Sequence, residues 1–215
     1  MSDSAAFHEV DEAVRKDEVR EWWSRYGTWV VALAVVVVVA VTGLVGWRQY
    51  DQAQRAVAST AYSAALAQIA TDPAAARVEL EKQAASALQP YRSLAALTAA
   101  QLRATLEEQV TALAAVAPGL SATELSDLAL VIAAFKSIDT PKAEEMVARL
   151  EPLAGPDRPF RLSVRELQAM LALRKGDMKR AKELWNEIAK DPAVPQGASQ
   201  RVSAMLNLYG AAEAK

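Results

Sequence analysis

"ELQAMLALRKGDMKRAKELWNEIAKDP", Glu166 to Pro192, reads as two helices joined by a tight turn. Gly176 and Asp177 make that turn, with glycine where the chain needs the left-handed conformation that closes a helix. Beyond it Ala181, Trp185 and Ile188 recur at helical spacing and mark one buried face. Ala181 falls where two paired helices cross closely and a larger side chain would push them apart. Trp185, four residues on, fills the space that opens past the crossing. Asp191-Pro192 stops the second helix. In the first, Leu167 and Leu171 take the packing role.

The same punctuation recurs upstream: "TDP" at 71–73, "QP" at 89–90, "APG" at 117–119, "DTP" at 139–141 and "EPLAGPDRP" at 151–159. Helices between these breaks pair as 57–70 with 73–86, 90–104 with 106–116, 122–137 with 141–151, and 159–175 with 178–190. A last helix at 196–209 would cap the open end with Val202, Leu206 and Tyr209. Ser121 to Glu124 is an S-x-x-E capping box, and Thr140-Pro141 gives a cap followed by a first-turn proline. The second helices begin near 73, 106, 141 and 178, steps of about 33 to 37 residues around the 34-residue tetratricopeptide period. Glu166–Pro192 resembles that consensus from its Gly-Asp turn through Ala, aromatic and Pro. The proline comes one residue early, and Gln168 stands where the consensus has a large residue. The first two repeats match only in period and Ala/Leu content, and a plain helical bundle is the alternative for them. The expectation is an all-α protein: a solenoid of about four helix pairs plus a capping helix, with a groove for an extended segment or a partner helix.

Composition narrows the chemistry. The 215 residues include no cysteine and one histidine, His8, with a formal net charge of −2. Disulfides, thiol catalysis and Cys-ligated metal are excluded, and a lone histidine makes no zinc site. Acids and bases are mixed along the chain, so no basic stripe points to nucleic acid. No stretch assembles a nucleophile, base and orienter, and there is no Gly-rich phosphate loop or G-x-S-x-G. The adjacent glutamates of "LEEQV" and "AEEM" read as solvated helix surface. No catalytic, cofactor-binding or metal residue is expected; the chain reads as a binding or scaffolding protein, not an enzyme.

Ahead of the repeats, "WVVALAVVVVVAVTGLVGW", Trp29 to Trp47, carries no charge. As a helix it covers roughly 27 Å, close to the ~30 Å hydrocarbon core of a bilayer. Valine-rich runs favour strands in water, but in lipid a lone segment must satisfy its own backbone and so is helical. Trp22, Trp23, Tyr26 and Trp29 precede it and Trp47 and Tyr50 close it, as aromatic belts at two interfaces do. A signal peptide fits less well: its n-region would exceed 25 residues, and the one A-x-A triplet, Ala56–Ala58, lies beyond Arg48, Asp51 and Arg55. Arg15, Lys16, Arg20 and Arg25 before the span outnumber Arg48 and Arg55 after it, which puts the N-terminus in the cytoplasm and the repeats outside. Thr42 and Gly46 form a small-xxx-small pair open to another helix, with glycine tolerated in lipid without a partner as the plainer reading. The expected organisation is a cytoplasmic amphipathic tail at 1–26, a transmembrane helix at 27–50 and a periplasmic repeat domain at 51–215.

The tail "FHEVDEAVRKDEVREWWSRYG" reads as a helix leading into the span, with Phe7, Val10 and Val14 at helical spacing and Trp22, Tyr26 and Trp29 on one face. Asp11–Arg15, Glu12–Lys16 and Glu21–Arg25 are i,i+4 pairs in the favourable order. A solvated helix at the membrane surface is the plainer reading, a docking handle for a cytoplasmic partner the other.

Taken together, "EVDEAVRKDEVREWWSRYG", the single span, "WRQYDQAQRA" and "LRKGDMKRAKELW" give a chain that resembles the YfgM-type family, ancillary subunits of the bacterial SecYEG translocon. Its alanine-rich style is similar to the alphaproteobacterial members. The resemblance implies a single-pass inner-membrane protein whose periplasmic domain works beside SecYEG, with a membrane-anchored peptidyl-prolyl isomerase chaperone, on client polypeptides leaving the channel. It implies no catalytic residue. A scaffold for another inner-membrane or envelope complex is the alternative.

Overall fold

The computed structural model describes residues 3–210, with the side chains of Arg20 and of residues 22–209. Nine α-helices account for most of the described residues, and none of these forms a strand. The first, α1, runs Asp3–Gln68. The remainder are α2 (Pro73–Ser86), α3 (Tyr91–Gln101), α4 (Leu106–Val116), α5 (Thr123–Ser137), α6 (Ala143–Ala148), α7 (Arg161–Arg174), α8 (Met178–Ala189) and α9 (Gln196–Gly210). Two compact units divide the chain between Gln54 and Arg55.

In the first unit, α1 is long and apolar enough to cross a membrane, with a mean hydropathy of 2.7 over its most apolar window and no residue of that window buried. A core helix of a soluble protein hides such a surface; this one does not. Ahead of the apolar run Trp22 lies beside both Trp23 and Tyr26, with ring centroids 6.3 and 5.8 Å away. Gly27 lets Trp23 lie down on the helix, because a Cβ there would come within 3.2 Å of the indole. The expected tail contacts of Phe7, Val10 and Val14, the three i,i+4 pairs and His8 lie outside the described side chains.

The second unit holds the repeats. Asp72 caps α2 by accepting from the Ala75 N–H at 2.9 Å, with Pro73 in the first turn. Thr105 caps α4 through the Glu108 N–H, and Asp177 caps α8 through the Arg180 N–H. Gly176 takes φ +82°, the left-handed turn expected of it. Three apolar clusters form the core: Ala65, Leu80, Ala95 and Ala99 where the first two repeats meet, a large middle cluster from Leu97 to Leu167, and a last one around Ala181, Trp185 and Val202.

Three expectations need correction. The 141–151 helix is shorter: α6 ends at Ala148, and Pro152 sits in a separate 3₁₀ turn at Glu151–Leu153. Lacking an N–H, proline cannot continue the α-ladder. The Ser121–Glu124 capping box does not close. Ala122 is the N-cap of α5, and Ser121 turns to the buried Ser93, whose Oγ accepts its N–H at 3.0 Å. Thr140 does not cap α6 at the N-cap position, which is Lys142; its hydroxyl accepts the Lys142 N–H at 3.2 Å in a local turn.

Candidate partner-binding site

Helices α5, α7 and α9 share a register. Advancing 35 residues from Phe135 on α5 gives Met170 on α7 and then Met205 on α9; from Glu166 it gives Arg201. These five side chains, with Trp185, Val202 and Ala204, line an apolar cavity of about 580 Å³. That lies within the range of pockets that hold ligands. Trp185 forms part of the wall from α8 while itself only 1% exposed.

One ion pair stands at the cavity. Arg201 donates from Nε to Glu166 Oε1 at 2.7 Å and from Nη2 to Oε2 at 2.8 Å. This fork is the strong geometry for arginine and carboxylate. Hydrogen bonding to Glu166 raises the Arg201 pKa above its ordinary value, while partial burial opposes the shift. Neither Glu166 nor Arg201 is therefore left as an unpaired charge. No other ionisable side chain lines the cavity. What the arrangement can do is hold uncharged apolar groups.

Further ties within and between repeats surround the wall. Arg174 of α7 donates to the Ile138 and Thr140 carbonyls, Arg158 to Asp127 at 2.7 Å, and Arg161 to both oxygens of Asp191. The Ala193 N–H and then Arg161 lower the Asp191 pKa against the opposing cost of burial.

Residues singled out in the sequence fall as follows. Ala181, Trp185 and Ile188 are buried together in the last cluster, and Val202, Leu206 and Tyr209 of α9 pack on it. Leu167 is fully buried in the middle cluster with Leu171 against it, whereas Gln168 is half-buried. Glu107, Glu108, Glu144 and Glu145 are exposed. Thr42 donates to the Val38 carbonyl at 2.8 Å, and a Cβ on Gly46 would meet nothing within 4 Å. No group of three or more metal-ligating side chains occurs among the described residues. Sequence reasoning missed the cavity. Its signal was the 35-residue recurrence of Phe135, Met170 and Met205.

Comparison with known proteins adds two findings. A family model described as a tetratricopeptide repeat-like domain matches residues 20–207, so the match takes in the span as well as the repeats. The ancillary SecYEG translocon subunit of Escherichia coli (strain K12) is 30% identical over 182 residues, covering 76% of this chain and 82% of that protein. No solved structure matches.

Proposed function

The chain belongs to the tetratricopeptide repeat-like domain family, and on that premise we propose that it is a single-pass inner-membrane accessory protein of the Sec translocon. The observation that carries this reading is the extent of the two matches. A family model beginning at Arg20 includes the apolar helix, which favours a retained span over a cleaved signal. The E. coli relative bears the name of a translocon subunit.

In this reading residues 27–50 cross the membrane, residues 1–26 remain in the cytoplasm and residues 51–215 work in the periplasm. The basic residues before Trp29 support that orientation. Tethering confines the repeat domain to neighbours in the same membrane and raises its effective concentration for them, so weak contacts suffice. The cavity between α5, α7, α8 and α9 supplies a surface for such contacts, and its lining supports a role in binding, without catalysis. The neighbours are SecYEG and a membrane-anchored peptidyl-prolyl isomerase chaperone, with emerging polypeptides as clients. The alanine-rich composition favours a place among the alphaproteobacterial members.

Purification of the full-length protein in mild detergent tests this. Translocon components or the anchored isomerase should be recovered with it, and removal of residues 1–50 should abolish most of that recovery. Reproducible recovery of a different membrane complex, with translocon components at background, would replace this function with the scaffold alternative. Protease added to spheroplasts should digest the repeats and leave a protected N-terminal fragment; full protection reverses the orientation.

A further inference from the structure

Residues 55–68 of α1 belong to the repeat unit and close its first layer against α2 and α3. Of this segment only Ala65 is buried, with Tyr62 half-buried beside it, in the cluster that Leu80 of α2 and Ala95 and Ala99 of α3 complete. Its larger aliphatic side chains turn the other way: Val57 is 69% exposed and Leu66 39%. The last cluster is built from bigger pieces, since α8 buries Leu184, Trp185 and Ile188 as well as Ala181. Apolar stabilisation scales with area removed from water, so α1 is the more weakly held helix of the two.

Helix α2 brings a second weakness to this layer. Gln83 continues its buried face one turn beyond Leu80 and is only 6% exposed. Among the described residues neither its Oε1 nor its Nε2 has a hydrogen-bond partner. Such an amide either stays unsatisfied or draws water into the interface, and both outcomes cost stability that an apolar side chain would keep. What ties α1 to α3 is polar and exchangeable. Thr98 spends its hydroxyl proton on the Leu94 carbonyl at 2.9 Å, so Tyr62 donates to Thr98 Oγ1, also at 2.9 Å. Arg55 donates from Nη1 to the Gln89 carbonyl at 2.8 Å in an exposed position, and the Tyr62 and Tyr91 rings stand 6.0 Å apart. Water can replace either hydrogen bond at small net cost.

We propose that this layer is a latch: residues 55–68 of α1 release from α2 and α3 while α2–α9 stay folded, with the turn between Gln68 and Pro73 as the hinge. The hinge suits that motion. The Ile69 N–H bonds back to the Leu66 carbonyl, and the Thr71 and Asp72 N–H groups to the Gln68 carbonyl, while the Asp72 side chain caps α2. Both helix ends therefore keep their hydrogen bonds when the two part, and α2 stays with α3 through Leu80, Ala95 and Ala99. The device goes beyond the translocon assignment and serves any complex that the repeats meet. An open latch lets α2–α9 follow a partner without α1 having to turn with them.

The chain has no cysteine, so a single introduced thiol reports its own site. Ala65→Cys places one inside the latch, and Ala169→Cys places one in the last cluster, where no surface is exposed. Each full-length variant, in mild detergent under native conditions, is pulsed with a thiol reagent. Ala65→Cys should label at least about tenfold faster than Ala169→Cys. Adding Gln83→Leu should slow Ala65→Cys by about tenfold and leave Ala169→Cys unchanged, and Tyr62→Phe should speed Ala65→Cys. Thr98→Cys, on the α3 side where the replaced oxygen meets Tyr62, is the second reporter and should be slowed by Gln83→Leu in the same way. Equal labelling of Ala65→Cys and Ala169→Cys overturns the latch. So does a Gln83→Leu effect that is absent or reversed at both reporters, or one shared by Ala169→Cys, which would make the opening global. Translocon recovery plays no part in this readout, so either proposal can fail without the other.

Discussion

The indole of Trp185 and the ring of Tyr209 stack with centroids 5.8 Å apart and planes 17° from parallel. This contact fastens α9 to α8, and Trp185 is buried while Tyr209 is half-buried. Trp185→Ala should cost about 3–5 kcal/mol through the cavity it leaves. The coupling between Trp185→Ala and Tyr209→Ala in a double-mutant cycle should be roughly 0.5–1.5 kcal/mol. The exposed control Lys179→Ala should stay within about 0.5 kcal/mol. Chemical denaturation of the repeat unit measures all three, and a zero coupling would mean the stack adds nothing beyond buried area.

Ala181→Leu tests the helix crossing. With Ala169 and Ala181 both without exposed surface, added methylenes have nowhere to go, and the expected loss is about 1–3 kcal/mol. Thermal melting should register it, and an unchanged midpoint would deny the close approach.

Gly176→Ala isolates backbone strain. At φ +82° a Cβ would meet no atom within 4 Å, so packing plays no part. The expected cost is about 1–2 kcal/mol from the left-handed conformation alone. Gly176→Asn should lose less, since asparagine tolerates that region better. Equal stability of the glycine and alanine forms would contradict the turn.

Acid should expose the Asp191 tie. Its carboxyl is held below the usual range by the Ala193 N–H and then Arg161, so the contribution to stability is present above the ordinary carboxylate pKa. It is lost as pH falls through the lowered folded value. Wild type should therefore lose stability below about pH 4 relative to Asp191→Asn, with the difference constant from about pH 5 to 7. A difference that grows between pH 5 and 7 would implicate another group.

Much of this was legible in the sequence because the signals were local. Turn chemistry at Asp72-Pro73 and Gly176-Asp177 fixed helix ends to within a residue or two, and Ala181, Trp185 and Ile188 announced their burial by spacing alone. What failed was non-local. Ser121 had the capping sequence, but a buried serine 28 residues away offered its N–H another acceptor. The cavity was harder still, since Phe135, Met170 and Met205 look like ordinary apolar positions until the 35-residue register brings them to one wall. Glu166 and Arg201 gave no hint of each other, because a repeat period pairs positions without saying which charges will occupy them.

Those ties between neighbouring repeats also bear on how the chain acquires its shape. Tyr62 meets Thr98, Thr111 meets Lys142, Asp127 meets Arg158 and Glu166 meets Arg201, at separations of 31 to 36 residues. Each such link closes a short loop, which keeps the entropy of closure small and the contact order low. A chain that crosses the membrane N-terminal repeats first lets each repeat meet its polar partners as soon as the next one has emerged. Folding can then advance in step with emergence, and the link between Glu166 and Arg201 completes the cavity wall only when α9 has arrived.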